Sequence, residues 1–345
     1  MKNDYYKYLP GRKPSLLSLN DYVLHDSIAG GQVYGYANKK GKEIYSTEVL
    51  IKKTEESFEE YDHKSFPDVI MYLRQKVSGS PEELRRVKEI LDQTAAGLAA
   101  VFCSLYTGAE KSRQANHLTE HDWEFWKTCS RIFLVGKLAK GKLGQFLEEG
   151  IKEHLQLLGM NHFSVQCFDN PKVNTISLLG CTQIGLADKE SVYVFDFGNT
   201  AVKCGRAHLT PDGYEIKEQP AMIHQDYRQM SDTIETAKEI HNQIVLAVLK
   251  TIQWHQEDCS AYEVSLCMAN NLIDNEIADR GSYRSLRLLA PCYGEYLQKY
   301  LEQETGKKFE VHIMNDAQAV ANLFREWSPK AAVVTLGTHL GIAYP

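Results

Sequence analysis

The chain has 345 residues, enough for two domains of ordinary size. A hydrophobic content of 43% and a charged content of 24%, without a run of about 18 apolar residues, are typical of a soluble globular protein and predict no membrane partner. The net charge of −6 argues against nucleic acid as the main partner, since that would need a basic face, but it permits a nucleotide in a local site.

The first 80 residues give a weak pattern. Residues 15–23 are predicted to begin a helix, and residues 32–36 and 43–47 are predicted to pair as a β-hairpin. Apolar residues at helical spacing, among them Val69 and Leu73, predict a helix within the charged segment that follows.

The next segment alternates long helices with a buried strand. Ser80 and Pro81 predict a helix start, as the N-cap and the first helical residue. An Ala-Ala-Gly run ending at Gly97 permits close packing along that helix. Residues 131–136 predict a strand ending at Gly136. A link through Gly141 then leads into a helix over residues 145–158, and residues 174–186 close this half.

Residues 191–205 carry the most informative motif. A β-branched apolar run ends on Asp196, which is how a buried strand delivers a carboxylate to its tip. Gly198-Asn199-Thr200 suits a tight turn, and a returning strand follows with Lys203. Such a strand-turn-strand can bind a phosphate with its backbone N–H groups and lysine, beside a cation held by the aspartate. The same residues also fit an ordinary hairpin in which the lysine is solvated.

Two later stretches also place polar residues at strand tips. Residues 311–314 predict a strand that ends in Asn315-Asp316 before an alanine-rich helix start. Residues 331–343 predict another apolar strand, broken by Gly337-Thr338 and again by Gly341. Taken singly, the first pair also fits a helix N-cap and the second a β-bulge. The glycines that follow the earlier strand, at 136 and 141, also fit a simple loop.

Between these stretches the pattern is that of an alternating α/β segment. The predicted elements are a strand meander over 207–216, an amphipathic helix over 231–254, a central strand over 263–269 followed by polar Asn270-Asn271, and a helix over 293–304. Gly306 is a typical helix stop.

Together, the three strand-tip motifs resemble the phosphate-1, catalytic-aspartate and phosphate-2 segments of the actin-like ATPase superfamily. Within it, Asn315-Asp316-Ala317 followed by Gly337-Thr338 resembles the ROK family (repressors, open reading frames and sugar kinases). The run from Asp196 to Lys203 is also similar to the first motif of type III pantothenate kinases. The resemblance implies an α/β, two-lobed actin-like ATPase fold of the ribonuclease H-like type.

The order of the segments differs from that of ROK-like proteins, because the late-looking segments come first. The sequence therefore resembles a circular permutant, in which residues 187–190 join the usual C-terminus to the usual N-terminus. Residues 1–186 would then be the adenosine-binding lobe, and residues 187–330 the lobe with the phosphate-1 motif and the catalytic aspartate. Residues 331–345 would return to the first lobe as the phosphate-2 strand, continued by N-terminal residues.

The resemblance implies Mg²⁺-dependent phosphoryl transfer from ATP to a hydroxyl of a small metabolite, a sugar or sugar derivative. Asp316 is the implied general base, and Asp196 the implied ligand of Mg²⁺ through water. The residues implied to contact ATP are Gly198, Asn199, Thr200, Lys203, Gly337, Thr338, Gly341, Gly136 and Gly141. The residues implied to contact the substrate are Asn315, Asn270 and Asn271.

Departures from the family pattern leave other functions open. His339 stands where the family has the last glycine of Gly-Thr-Gly, and we find neither a Glu-x-Gly-His segment nor a cysteine-rich zinc motif, so we expect no structural zinc. One alternative is a weak ATPase or non-catalytic sensor of nucleotide or sugar on the same fold. Another is a pantothenate-kinase-like enzyme.

The cysteines and the first residues predict the cellular setting. The eight cysteines are scattered without C-x-x-C spacing, which is typical of buried free thiols in a reducing compartment. The first residues lack the apolar core of a signal peptide. We therefore expect a cytoplasmic protein acting on a small molecule, and leave a homodimer open.

Overall fold

The computed structural model describes residues 19–25, 34–62, 65–116, 118–168, 175–183, 191–199, 201–211, 213–256, 260–273, 276–327, 330–337 and 340–344. They form a mixed α/β protein, as the sequence predicted, with one sheet of four strands, one of five and one of two. The chain divides into two compact units. The four-stranded unit contains the described residues within 15–173 and 326–345, and the five-stranded unit those within 174–325.

Helices dominate the early part of the four-stranded unit. Its elements, in chain order, are α1 (Lys42–Tyr45), α2 (Thr47–Ser57), α3 (Phe66–Val77), α4 (Pro81–Thr107), α5 (Glu110–Ala115), α6 (Glu120–Thr128), β1 (Arg131–Val135), α7 (Gly141–Leu157) and β2 (Ser164–Cys167). The predicted start of α4 is confirmed, because Ser80 and Glu83 form a capping box with Pro81 at the first helical position. The predictions of α3 and β1 are also confirmed, and α7 begins four residues before its predicted start.

The predicted hairpin at residues 32–36 and 43–47 is wrong for its described part. Residues 42–57 form α1 and α2 instead, and Ser46 caps α2 by accepting a hydrogen bond from the Val49 N–H. Ile44 and Tyr45 pack closely against Gly97 of α4. This tertiary contact buries the apolar side chains whose pattern suggested a strand. It therefore outweighs their intrinsic preference for β-structure.

The predicted helix over residues 15–23 lies partly outside the described residues. Its described part, residues 19–23, forms a turn and an isolated antiparallel bridge between Val23 and Lys40. The helix prediction is therefore wrong there. Asn116 replaces the helical hydrogen bonds, because its side chain accepts from the Val23 N–H at 2.7 Å and donates to the Val23 carbonyl at 2.9 Å.

α4 is long and apolar enough to cross a membrane, judged by length and composition, contrary to our expectation that the chain has no such segment. Within the protein, 78% of the apolar window of α4 is buried. A core helix of a soluble protein passes the same test, and the buried residues of α4 belong to the main hydrophobic core of this unit.

The five-stranded unit alternates strands and helices much as the sequence predicted. Its elements are α8 (Ile176–Cys181), β3 (Ser191–Phe197), β4 (Ala201–Thr210), β5 (Gly213–Ile223), α9 (Ile234–Trp254), β6 (Ala261–Met268), β7 (Asn270–Ile273), β8 (Glu276–Gly281), α10 (Tyr293–Thr305), β9 (Lys308–Asn315) and α11 (Asp316–Ala321). The sheet order is β5-β4-β3-β6-β9, so β3 is the middle strand and β6, which was predicted to be central, is an interior strand beside it. β3, β4 and β5 form an antiparallel meander, whereas β3, β6 and β9 run parallel.

The two faces of this sheet have separate apolar clusters. One face, with Phe195 and Leu266, packs with residues of α9 and α10. The other, with Val194 and Cys267, forms a smaller cluster with residues of α8 and α11. α8 thus contacts this unit, although the sequence analysis grouped its residues with the first lobe. Because β3, β6 and β9 are parallel, their carboxyl ends meet at one edge of the sheet.

The last described strands complete the first sheet. β10 (Ala331–Leu336) pairs in parallel with β1 and antiparallel with β11 (Leu340–Ala343), which gives the order β11-β10-β1-β2. The sequence predicted one broken strand over residues 331–343, and the structure divides it into this antiparallel pair. The following residue, Tyr344, stacks on Phe125 and accepts a hydrogen bond from the Trp126 indole N–H at 3.1 Å. Tyr344 is therefore part of the core of the four-stranded unit.

The described cysteines are free thiols. Five of the seven are buried, and Cys167 and Cys292 are partly exposed. The prediction of mostly buried free thiols holds for these seven, and Cys259 lies outside the described residues.

Candidate active site

Asp196 lies near the carboxyl end of β3, directly opposite Lys203 on β4. Its Oδ2 atom accepts hydrogen bonds from Ser177 Oγ at 2.7 Å and from Lys203 Nζ at 3.2 Å. Cys267 Sγ lies 3.8 Å from its Oδ1 atom. The Lys203 side chain is 47% exposed and the Asp196 side chain 13% exposed. The lysine that the sequence assigned to a phosphate is therefore an ion-pair partner of the aspartate assigned to Mg²⁺.

The turn after Asp196 is closed by its own backbone and held by two residues from another segment. The Gly198 N–H donates to the Ala201 carbonyl at 3.0 Å. The Tyr283 hydroxyl donates to the Gly198 carbonyl at 2.7 Å, and Ser282 Oγ donates to Asn199 Oδ1. Residue 200, the third predicted phosphate contact of this turn, lies outside the described residues.

Asn315 caps α11. Its Oδ1 atom accepts hydrogen bonds from the N–H groups of Ala317 at 2.9 Å and Gln318 at 3.3 Å, as an N-cap does. Its Nδ2 atom donates to the Asn270 carbonyl at 2.9 Å. The cap fixes the direction in which the chain leaves β9, and so the position of the next residue, Asp316.

Asn270, a predicted substrate contact, makes hydrogen bonds within its own unit. The residue is buried, and its Oδ1 atom accepts a hydrogen bond from the Tyr283 N–H at 3.1 Å. Its Nδ2 atom donates to the Ala278 carbonyl at 3.3 Å. These bonds hold the β7–β8 hairpin against the start of the next segment. The side chain of the other predicted contact in this pair, Asn271, lies outside the described part.

Asp316 differs from Asp196 in its electrostatic setting. Burial raises the pKa of the Asp316 carboxyl to about 6, and the negative charge of Asp196 adds to the increase. The Ala317 N–H, which donates to Asp316 Oδ1 at 2.8 Å, acts in the opposite direction. A carboxyl of this kind exchanges its proton near neutral pH, which is a property of general acids and bases.

The same two carboxylates could hold a divalent cation. Asp196 and Asp316 follow parallel strands to the same edge of the sheet, and their charges interact. Mg²⁺ binds through one or two carboxylates together with phosphate oxygens and water, so this pair fits the ion. A cation here would replace Lys203 as the partner of Asp196.

Gly136 and Gly337 follow adjacent parallel strands in the four-stranded unit. Gly136 has a φ of +121°, and a Cβ atom there would lie 2.4 Å from the Leu336 carbonyl oxygen. Close approach of β10 therefore explains this glycine without a ligand. Gly141 has a φ of +59° and open space where a Cβ atom would lie. It is the first residue of α7, and the first N–H groups of a helix have no hydrogen-bond partner within the helix.

Basic residues surround the start of α7, a feature that the sequence analysis passed over. Lys137, Lys140 and Lys142 occupy the link and the first turn, which has no acidic residue. The Arg74 guanidinium donates to the Lys137 carbonyl at 2.7 Å, so α3 adds a fourth cation. Positive side chains and a helix N-terminus together favour an anionic ligand.

Residues from the start of the chain contact the β10–β11 hairpin. Asn20 Nδ2 donates to the Leu340 carbonyl at 3.3 Å. Gly337 and Leu340 line a small recess with Ser46 and Thr47 at the start of α2. Gly341 lies on β11, and its N–H donates to the Thr335 hydroxyl. Thr338 and His339, the remaining residues of the predicted phosphate-2 loop, lie outside the described residues.

The sequence analysis missed the residues that position the predicted ones. Ser177 reaches Asp196 from α8, and Tyr283 reaches the turn from a segment 85 positions further along the chain. Neither has a local signal, because each role depends on long-range folding. The lysines at 137, 140 and 142 did have a local sequence signal, because they flank a glycine between a predicted strand and a predicted helix.

Comparisons with known proteins show no family for this chain. No known protein family matches the sequence. No curated protein matches it either. Among solved structures, the chain aligns with a member of the Ppx/GppA protein family from Aquifex aeolicus at 15% identity, over 36% of this chain and 35% of that chain, with a TM-score of 0.21. This partial overlap defines neither a shared activity nor a shared site.

Proposed function

We propose that this protein is an ATP-dependent phosphotransferase of the actin-like fold, acting on a hydroxyl of a small metabolite such as a sugar or sugar derivative. The observation that carries the proposal is the pair Asp196 and Asp316. Both lie at the edge of the sheet where the parallel strands end. Asp196 accepts hydrogen bonds from a lysine and a serine, whereas Asp316 has a pKa of about 6. Phosphoryl transfer needs this division between a cation-binding carboxylate and a proton-accepting one.

The topology of the two sheets supports the proposed fold. In the five-stranded sheet, β3 pairs antiparallel with β4 on one side and parallel with β6 on the other, and β9 follows β6. In the four-stranded sheet, β10 pairs antiparallel with β11 and parallel with β1, and β2 follows β1. Both sheets thus share one plan, a hairpin followed by two parallel strands, which a duplicated actin-like fold requires.

The chain order of these strands supports the proposed circular permutation. In the five-stranded sheet the hairpin comes first along the chain, whereas in the four-stranded sheet it comes last. If the chain opened within residues 187–190 and its present ends were joined, both hairpins would come first. A gene reordered in this way, with a flexible linker, should give a folded protein with the wild-type circular dichroism spectrum. Failure of that chain to fold would contradict the permutation.

Asp316 is the proposed general base. With a pKa of about 6 it is mostly ionised at pH 7.5. It can take the proton of the acceptor hydroxyl as that oxygen attacks the γ-phosphorus of ATP and the bond from this phosphorus to the bridging oxygen breaks, which releases ADP. Mg²⁺ held by Asp196 would neutralise phosphate charge in the transition state. Lys203, released from Asp196, would contact a phosphate oxygen, and the turn held by Tyr283 would lie beside the same phosphates.

The proposed nucleotide contacts in the four-stranded unit follow the anion-favouring features described above. The start of α7 with its lysines would contact an anionic part of the nucleotide. Gly337, Thr338 and Gly341 of the β10–β11 hairpin remain the proposed phosphate-2 residues. Gly141 remains a proposed contact, since its open surroundings permit close approach, whereas Gly136 is explained by packing.

The test is ADP release from Mg-ATP across a panel of sugars, amino sugars and pantothenate. We expect one acceptor to stimulate release, and Asp316→Asn to lower that rate by at least about 10²-fold, the contribution typical of a general base. Asp279→Asn, an exposed aspartate on β8 of the same unit, is the matched control and should behave as wild type. Nucleotide binding without acceptor stimulation would contradict the kinase proposal.

A sensor is the second candidate, and one contact favours it. Lys203 Nζ forms an ion pair with Oδ2 of Asp196 at 3.2 Å, so the carboxylate proposed to bind Mg²⁺ already has a cationic partner. In a sensor, nucleotide binding would exchange this ion pair for a phosphate contact without transfer. Such a protein would bind ATP, show no acceptor-dependent turnover and keep its ATP affinity in Asp316→Asn.

A further inference from the structure

Three metal-ligating side chains converge on the five-stranded sheet away from the candidate active site. They are Glu263 on β6 and Glu310 and His312 on β9. Their ligand atoms all lie within 4.8 Å of one another. Asp316 follows the carboxyl end of β9, whereas Glu263 and Glu310 are each the third residue of their strand, so the cluster is separate from the Asp196–Asp316 pair.

The strand register explains the convergence. Glu263 pairs directly with Glu310 across the parallel β6–β9 ladder, so both side chains point to the same face. His312 is two residues further along β9 and points to that face as well. The intervening residue, Val311, packs on the opposite face with the larger apolar cluster. The three side chains are thus held by backbone pairing rather than by loops.

The two distances from the His312 imidazole match the spacing of ligands around a single small ion. His312 Nε2 lies 3.5 Å from Glu310 Oε1 and 3.6 Å from Glu263 Oε1, beyond normal hydrogen-bond length. Around a tetrahedral zinc ion with bonds of about 2.0 to 2.2 Å, neighbouring ligand atoms are separated by roughly 3.3 to 3.6 Å. The imidazole nitrogen therefore already stands at ligand-to-ligand spacing from both carboxylates.

The charge and burial of these three side chains also suit a divalent metal ion. Two carboxylates balance a divalent ion, and one neutral imidazole completes a nitrogen–oxygen donor set that suits Zn²⁺ better than Mg²⁺. Glu263 and His312 are buried, while the Glu310 side chain is 53% exposed. The exposed carboxylate gives the ion a path from solvent and leaves a position for water.

We propose that Glu263, Glu310 and His312 bind one divalent transition-metal ion, Zn²⁺ in the first instance. Because β9 is the edge strand of the sheet, the ion would fasten it to β6 and stabilise the strand that carries Asp316 at its end. The proposal does not depend on phosphoryl transfer. It revises the expectation of no structural zinc, which considered cysteine motifs alone.

The test is isothermal titration of Zn²⁺ into the chelator-treated full chain, with thermal denaturation in parallel. Wild type should bind one Zn²⁺ and melt at a higher temperature with the ion than without it. Glu310→Gln should weaken binding by at least roughly tenfold and lose most of the thermal shift. It is the variant of choice because its side chain is half exposed and its loss should not unfold the protein.

Two further variants make the result specific. Glu304→Gln, at an exposed position near the end of α10, should bind Zn²⁺ as wild type does. Asp196→Asn should also keep the site, because it alters the other end of the sheet. Absence of stoichiometric Zn²⁺ binding by wild type, or equal binding by wild type and Glu310→Gln, would overturn the proposal and leave the cluster as ion pairs alone.

Discussion

Asp196 and Asp316 stand at the same edge of one sheet, and the charge of Asp196 is the second cause, after burial, of the raised pKa of Asp316. Removing that charge in Asp196→Asn should therefore lower the pKa of Asp316 below about 6 but leave it above its ordinary value, because burial is the larger cause. Carbon NMR titration of the labelled carboxyl measures both values. An unchanged pKa would show that the two carboxylates are not coupled.

The raised pKa of Asp316 also predicts a pH-dependent cost to stability. In the pH interval between its ordinary pKa of 3.8 and its folded pKa of about 6, the folded state binds the proton more tightly than the unfolded state. Stability from this group is therefore present at low pH and lost as pH rises through about 6. At neutral pH the ionised carboxylate destabilises the fold.

Asp316→Asn should thus be more stable than wild type at pH 7.5, by about 1 to 2 kcal/mol after allowance for the partial exposure of the residue. The difference should vanish as the pH falls below the ordinary pKa of 3.8, towards about pH 3, where the wild-type carboxyl is protonated in both states. Urea denaturation of both proteins across this pH interval measures it. The control Asp279→Asn should show no such trend, and a destabilised Asp316→Asn at pH 7.5 would contradict the account.

Lys203 should matter for nucleotide binding more than for folding. Its ion pair with Asp196 is half exposed on the lysine side, and such pairs contribute within about 1 kcal/mol to stability. Lys203→Met should weaken ATP binding by roughly tenfold or more, the value of a lost charge-assisted hydrogen bond. Lys238→Met, an exposed lysine on α9, is the control. Equal ATP affinity in the two variants would show that Lys203 does not contact the nucleotide and only pairs with Asp196.

The two glycines that flank the β1–α7 link should respond differently to alanine. Gly136→Ala forces a Cβ atom to 2.4 Å from the Leu336 carbonyl oxygen at a φ of +121°, so β1 and β10 must separate. We expect a loss of about 3 kcal/mol or more in the free energy of unfolding. Gly141→Ala meets open space and should cost only about 1 kcal/mol for its positive φ. Chemical denaturation compares them, and similar losses would contradict the close approach.

Local signals explain what the sequence predicted of the fold. The β-branched run before Asp196 and the Ser80 capping box are complete within a few residues, and both elements form where predicted. Ile44 and Tyr45 were predicted to lie in a strand but lie in a helix, because their packing partner is α4, some 50 positions away along the chain. Local patterns therefore located strands and caps, while contacts across the chain decided the N-terminal helices.

In the candidate site, too, the sequence revealed only residues with a local pattern. Asn315-Asp316 fits both an N-cap and a site, and the structure uses the first residue as the cap that positions the second. Ser177 could not be found from the sequence, since its contact with Asp196 depends on α8 packing on the sheet. The cluster of Glu263, Glu310 and His312 was equally hidden, because it arises from the pairing of two strands.

The most direct test of the central claim is a phosphorus NMR time course with Mg-ATP and the stimulating acceptor. The account predicts a new phosphomonoester signal that grows as ADP appears. In Asp316→Asn it should form at least about 10²-fold more slowly, and below about pH 6 the wild-type rate should fall as its base becomes protonated. Release of inorganic phosphate alone, or a rate unaffected by Asp316→Asn, would contradict phosphoryl transfer with Asp316 as the base.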